Sequence, residues 1–214
     1  MFERQFFILG ASGAYGVGST QGGWAELLKQ FVHTELYGEK ALGEAAEVYN
    51  FAKPGAGIQF VLDTFENQLT EYGRDCPLTA FISVGVNDTK AVNTPDNYVS
   101  NEGKFEKDYR ALLNKLSEHF EMINVLGFYE LDESKVYPKV SPFGDSKSYF
   151  KNERIRTFNK ILEKVCACYE KANFIGIKLD NSCLFKDGLH PNDKGHQLIF
   201  ERLKGHIWKI QSSI

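Results

Sequence analysis

Cysteine is scarce in this chain, with only Cys76, Cys166, Cys168 and Cys183 among 214 residues. Four is too few for a disulfide framework at this size. Cys166 and Cys168 lie two apart in an expected helix and so face different directions. The paired spacings of a zinc site are missing. Buried or half-buried thiols are the reading that remains. No apolar run is long enough to span a membrane, which argues against membrane insertion. Basic charge is not in excess either: the net charge is −3, which disfavours nucleic acid as a partner. Internal repeats, low-complexity tracts and interdomain linkers are all absent. The opening residues, MFERQFFILGAS, put Glu3 and Arg4 before a short apolar run that ends in a glycine turn. That pattern is a first strand and not a signal peptide, so a cytoplasmic location is the default expectation. The length suffices for a sizeable core and is read as one domain, residues 1–214.

What is present is an alternation of strand-like and helix-like segments. Phe6-Phe7-Ile8-Leu9 is a buried strand that stops at Gly10. Trp24 to Tyr37 carries Leu27, Leu28, Phe31 and Val32 on one helical face. Glu47 to Phe51 is a second strand, ended by Lys53-Pro54-Gly55, and Ile58 to Tyr72 a second helix. Leu78 to Val84 is apolar at nearly every position, as in a strand covered on both faces. Helices over Lys104–Phe120 and Lys151–Lys171 follow, with strands over Met122–Phe128 and Phe174–Ile177. A last helix spans Pro191–Ile210, with Pro191 suited to its first position. Thr89–Gly103 and Tyr129–Phe150 read as loops, and one as long as the second is usually functional or mobile. Such alternation predicts an α/β fold with a parallel sheet between helices. Ligands of such sheets bind beyond the carboxyl ends of the strands. Ser12, Gly55 and Asn87 each lie just past such an end.

A serine between glycines at the end of a buried strand has its hydroxyl exposed on a sharp turn, which suits a nucleophile. Its base is sought in DGLHPNDKGH, where Asp187 and His190 stand three apart. That spacing lets a carboxylate hold one ring nitrogen while the other points toward a serine. Oxyanion donors are available from the Ser12 and Gly55 backbone N–H groups and the Asn87 amide. Each residue also has a plainer reading: a turn serine, a turn glycine after Pro54, an asparagine bonding its own backbone, a cap with a surface histidine. Asp88 is read as support for its loop. His33, His119, His196 and His206 are read as structural. Tyr129, Tyr137, Phe143, Tyr149 and Phe150 either line a pocket or pack the long loop onto the body.

With these residues in view, the sequence resembles the SGNH hydrolases, the GDSL-like lipase/esterase family. G-A-S-G at 10–13 stands where that family has its nucleophile block, and N-F-A-K-P-G at 50–55 matches the block of the oxyanion glycine. G-V-N-D at 85–88 matches the block of the oxyanion asparagine, and D-G-L-H at 187–190 the D-x-x-H block. Trp24 and the stretch NERIRTFN at 152–159 are also familiar there. The four blocks stand in the family's order across nearly the whole chain. The resemblance implies a three-layer α/β/α, flavodoxin-like fold with a five-stranded parallel sheet in the order 2-1-3-4-5. It implies Ser12, Asp187 and His190 as catalytic residues, with Ser12, Gly55 and Asn87 forming the oxyanion hole. It implies no cofactor and no metal, and a small-molecule ester as the partner: a short-chain acyl or acetyl ester of a lipid, sugar or other alcohol, cleaved through an acyl-enzyme. Ala11 departs from the pattern, standing where the family carries an aspartate.

Three other readings compete. FILGASGAYG also resembles the dinucleotide turn of the NAD(P)-binding short-chain reductases. Against it, Gly16, Gly18, Gly22 and Gly23 keep the chain from entering a long helix at once, and no acid ends the second strand to bind a ribose. The one Y-x-x-x-K, Tyr49 to Lys53, comes far too early for a reductase pair. A non-catalytic binding module and an acyltransferase on the same fold are the others. The oligomeric state is left open.

Overall fold

The computed structural model describes residues 4–39, 45–142 and 144–207. Strand β1 (Arg4–Gly10) leads into a one-turn helix α1 (Ser12–Tyr15), a glycine loop and α2 (Gly23–Tyr37). Next come β2 (Ala46–Asn50), α3 (Ile58–Tyr72), β3 (Leu78–Ser83), α4 (Val86–Thr89) and β4 (Ala91–Val92). Then follow α5 (Glu102–His119), β5 (Met122–Leu126), α6 (Glu133–Val136), β6 (Lys139–Val140) and β7 (Lys147–Tyr149). The chain closes with α7 (Asn152–Cys166), β8 (Ala172–Ile175), a 3₁₀ turn (Asn181–Cys183) and α8 (Asp193–Lys204).

Five strands form a parallel sheet in the order β2-β1-β3-β5-β8. Numbered among themselves, these are strands 2-1-3-4-5, the order expected. Successive side chains of a strand point to opposite faces, and β1 follows that rule. Phe7 and Leu9 pack with Val61 and Phe65 of α3, Leu112 and Leu116 of α5, and Phe158 of α7. Phe6 and Ile8 pack with Trp24, Leu28 and Val32 of α2 and with Ile199 and Leu203 of α8. Every strand residue from Gln5 to Gly10 is buried. This is why β1 reads as an unbroken apolar run: both faces are covered.

Several details differ from the sequence reading. The expected loops Thr89–Gly103 and Tyr129–Phe150 contain strands β4, β6 and β7, joined as an antiparallel sheet in the order β4-β7-β6. Strands of two or three residues are too short to show a period in sequence. The last helix begins at Asp193, with Asn192 as its cap accepting from Gly195 N–H. Pro191 is therefore not its first residue; it pairs with Leu184 in an isolated bridge. The helix expected over Lys151–Lys171 ends at Cys166. All four thiols are free, and Cys168 is exposed rather than half-buried. Residues 208–210 of the expected last helix and Phe143 lie outside the described residues. Among the described residues no helix is long and apolar enough to cross a membrane.

Candidate active site

Parallel pairing brings the carboxyl ends of three strands level. Gly10 of β1 stands opposite Ser83 of β3, and Ile8 opposite Asn50 of β2. The residues that follow must gather at that end of the sheet. Ser12 opens α1, with Ala11 extended in front of it and Gly16 closing the turn in a left-handed conformation. Ala11 has no side-chain oxygen to cap this turn. The N–H groups of Ser12 and Gly13 make no hydrogen bond among the described residues.

The Asp187–His190 segment is a tight turn. Gly188 has φ +73°, and a side chain there would meet Lys135 Cβ at 2.8 Å and Asp132 Cβ at 3.0 Å. Gly188 N–H donates to Phe185 O, and Phe185 N–H to His190 O. The Asp187 side chain turns back on the same loop: Oδ1 accepts the N–H groups of Leu189 at 3.0 Å and His190 at 3.1 Å. Its Oδ2 lies 2.6 Å from His190 Nδ1. His190 Nε2 lies 2.8 Å from Ser12 Oγ. Burial alone would raise the Asp187 pKa, but the hydrogen bonds and charge of His190 and the Leu189 N–H outweigh it and hold the carboxyl well below its usual range. Asp187 is therefore ionised and accepts from Nδ1–H, so Nε2 carries the lone pair that can take the serine proton.

Asn87 faces the same space from α4. Its Nδ2 donates to Ala56 O at 2.9 Å, and its Oδ1 accepts from Lys90 Nζ at 3.4 Å. These partners fix which end of the amide is which and, among the described residues, leave one N–H unengaged. Gly55, one residue before Ala56, is exposed, has φ +84° and makes no hydrogen bond through its N–H among the described residues. It does not line the cavity around Ser12. Ser12, Asn87 and His190 do, with Trp24, Leu126, Tyr129, Ile177, Leu189 and Ile199 closing its walls. The cavity holds about 50 Å³.

Asp88 binds two blocks together. It is buried, and its Oδ2 accepts the Ile58 N–H that opens α3. Burial raises its pKa from 3.8 to about 6, the Ile58 N–H opposing only part of the shift. An acid whose pKa is raised by folding adds stability below its unfolded value and loses it as pH climbs through the folded value. The ionised form thus costs on the order of 3 kcal/mol at neutral pH. Asp88→Asn keeps an acceptor for Ile58 N–H and cannot ionise. The Tm of the wild type is expected to drop relative to this variant by roughly 5 °C as pH rises from 4 to 7; parallel Tm curves would contradict it.

The walls are set from α7. Asn159 accepts Phe128 N–H at 2.7 Å and donates to Phe128 O, and Asn152 does the same for Leu131. The two asparagines stand seven apart, two turns along one helix face. This accounts for the NERIRTFN stretch: it clamps the segment that carries Tyr129. The Tyr129 hydroxyl donates to Leu189 O at 3.1 Å. Burial, with the Asp187 charge, pushes its pKa up and keeps it neutral. Tyr137 and Tyr149 pack edge to face and Phe150 is buried, so the long loop's aromatics divide between wall and packing. His196 is buried and structural: Nδ1 accepts Trp24 N–H and Nε2 donates to Val17 O. Lys139 was not legible in the sequence; its Nζ lies 3.0 Å from Asp187 Oδ2.

A family model described as GDSL-like lipase/acylhydrolase matches residues 6–203. The chain belongs to this family. As a GDSL-like acylhydrolase it is a carboxylic ester hydrolase, and the reductase reading of FILGASGAYG gives way. No curated protein matches the chain. Solved structures do share its fold. A member of the lipolytic protein G-D-S-L family from Veillonella parvula is 15% identical, with TM-score 0.69, covering 97% of this chain and 100% of its own. The psychrotrophic esterase EstA from Pseudoalteromonas sp., in a structure inhibited by monoethylphosphonate, is 17% identical, with TM-score 0.65, over 95% and 96%. Axe2, an acetyl xylan esterase from Geobacillus stearothermophilus, is 15% identical, with TM-score 0.67, over 97% and 96%. In this GDSL-like chain the glycine turn supports a serine at hydrogen-bond distance from a histidine, not a nucleotide phosphate.

Proposed function

We propose that this protein hydrolyses esters of short acyl groups, most simply acetyl, through an acyl-enzyme on Ser12. The observation that carries the reading is the unbroken line from Ser12 Oγ to His190 Nε2 at 2.8 Å and from His190 Nδ1 to Asp187 Oδ2 at 2.6 Å. His190 takes the serine proton as Oγ attacks the carbonyl carbon, and Asp187 holds the ring and balances its charge. The oxyanion receives hydrogen bonds from Ser12 N–H and the second N–H of Asn87, with Gly55 N–H, which lies outside the cavity wall and makes no other hydrogen bond among the described residues, as a third donor once substrate is bound. His190 then protonates the leaving alcohol, and water, deprotonated by the same histidine, releases the acid.

The small cavity supports the acyl length. About 50 Å³ holds roughly four water-sized groups, which suits an acetyl group and not a fatty chain. A wider groove adjoins it, with Phe128 and Ile177 in the walls of both, and suits a larger alcohol such as a sugar. Rates on p-nitrophenyl esters of graded chain length, with acetylated sugars beside them, test this. The expected result is that kcat/KM falls by about a hundredfold between acetate and octanoate. Equal or faster cleavage of octanoate would overturn the assignment to short chains.

A further inference from the structure

Asp187 carries a partner that neither its own turn nor His190 supplies. Lys139 belongs to β6, at the edge of the small antiparallel sheet β4-β7-β6. β4 starts two residues after α4, the helix that bears Asn87. The small sheet thus runs from the oxyanion side of the site to its acid. At its far edge the Lys139 ammonium donates to Asp187 Oδ2 at 3.0 Å, the oxygen that also accepts from His190 Nδ1. Both members of the pair are largely withdrawn from solvent, with 21% and 19% of their side-chain surfaces exposed. An exposed ion pair contributes little, but this one is screened less and bears on a carboxylate already engaged.

Two consequences follow from the geometry. With Lys139 bound, Asp187 accepts four hydrogen bonds, from Leu189 N–H, His190 N–H, His190 Nδ1 and Lys139. A carboxylate has about four acceptor sites, so it has no remaining freedom to turn away from the ring. The ammonium and the imidazole also share one oxygen, which places them within about 6 Å, where like charges oppose each other. Of the other ionisable groups around this turn, Lys186 holds its ammonium over the Phe185 ring, 5.6 Å from its centroid. Asp132 and Lys135 pair with each other at 2.9 Å. Tyr129 is neutral. Asp193 is engaged by Ser19 and Thr20, and burial holds His196 toward its neutral form.

We propose that Lys139 is a positioning residue of this site: through Asp187 it fixes the carboxylate on His190 and offsets the charge by which Asp187 favours a protonated ring. The proposal rests on Asp187 and His190 acting as orienting acid and base. Its effect is to keep His190 unprotonated, and the enzyme active, to lower pH than the serine, histidine and aspartate alone would allow.

The test is the pH profile of kcat/KM on p-nitrophenyl acetate for the wild type, Lys139→Met, Lys139→Gln and Lys139→Arg, with His190→Ala as reference. Removing the charge is expected to move the acid limb of Lys139→Met up by about half a unit to one unit. At pH 6 this appears as a loss of about three- to tenfold beyond any loss at pH 8. Lys139→Gln is expected to show the same shift, and Lys139→Arg to keep the wild-type limb. An acid limb unmoved in a folded Met or Gln variant would overturn the proposal and leave Lys139 as a strap for the small sheet. Hydrolysis surviving His190→Ala would overturn the base itself, a result the lysine variants cannot produce.

Discussion

Ser12→Ala is expected to lower kcat on p-nitrophenyl acetate by about a million-fold while leaving the fold and Tm close to the wild type. The size of the effect follows from where the hydroxyl stands. In the proposed mechanism Oγ is the atom at which the new bond forms, and it lies 2.8 Å from His190 Nε2. With the methyl group of alanine in its place there is no acyl-enzyme, and His190 is left to act on a water that nothing positions. The backbone N–H groups and Asn87 remain, so a small residual rate above that of free water is expected from oxyanion binding alone. Ser12 begins α1 and is half-buried, and its side chain makes no hydrogen bond other than the one to His190 among the described residues, so little stability is lost. The measurement has a chemical counterpart. A serine-reactive phosphonate should add one phosphonyl group to the peptide that contains Ser12, and Ser12→Ala should abolish the label. Ester cleavage unaffected by the substitution would end the assignment of Ser12 as nucleophile.

Asp187→Asn should cost about ten-thousand-fold in kcat with little change in KM. The change is nearly isosteric, so packing is not the cause. An ionised carboxylate can only accept, and it obliges Nδ1 to carry the proton. An asparagine amide can turn its NH₂ toward Nδ1. The ring then holds its proton on Nε2, facing Ser12, and cannot accept from the hydroxyl. The backbone N–H groups of Leu189 and His190 favour that outcome, because they hold the remaining oxygen at the Oδ1 position. The variant also turns an NH₂ toward the Lys139 ammonium, a contact between two donors. Activity of Asp187→Asn should recover partly at high pH, where hydroxide can take the Ser12 proton in place of His190. A variant with wild-type kcat across the range would exclude Asp187 from the machinery.

The substitution of Ala11 for the family's aspartate acquires a local meaning. Position 11 is the cap of α1, extended and buried, and the alanine leaves the Gly13 N–H without a side-chain acceptor. The three hydrogen-bonded residues Ser12, His190 and Asp187 assemble without it.

The one-dimensional pattern determined a good deal. Short runs apolar at nearly every position, such as Phe6–Leu9 and Leu78–Val84, read as inner strands of a covered sheet, so the layers and the carboxyl-end location of the site were legible. The Asp187–His190 pair was legible because both residues share one turn, and Ser12 because a glycine-flanked serine follows a strand. The tertiary structure alone decided the rest. That Ser12 and His190, 178 positions apart, meet at 2.8 Å depends on strand order and on Gly188 taking a left-handed turn. The cavity beside Ser12 is walled in part by Trp24, Leu126, Ile177 and Ile199, four apolar residues far apart in the chain that look like ordinary core in sequence. Lys139 is the clearest case. It lies in a polar stretch with no period, on a two-residue strand in a local hairpin with β7, while Asp187 is 48 positions away in the chain. One lysine among many carries no signal until a sheet places its charge against Asp187.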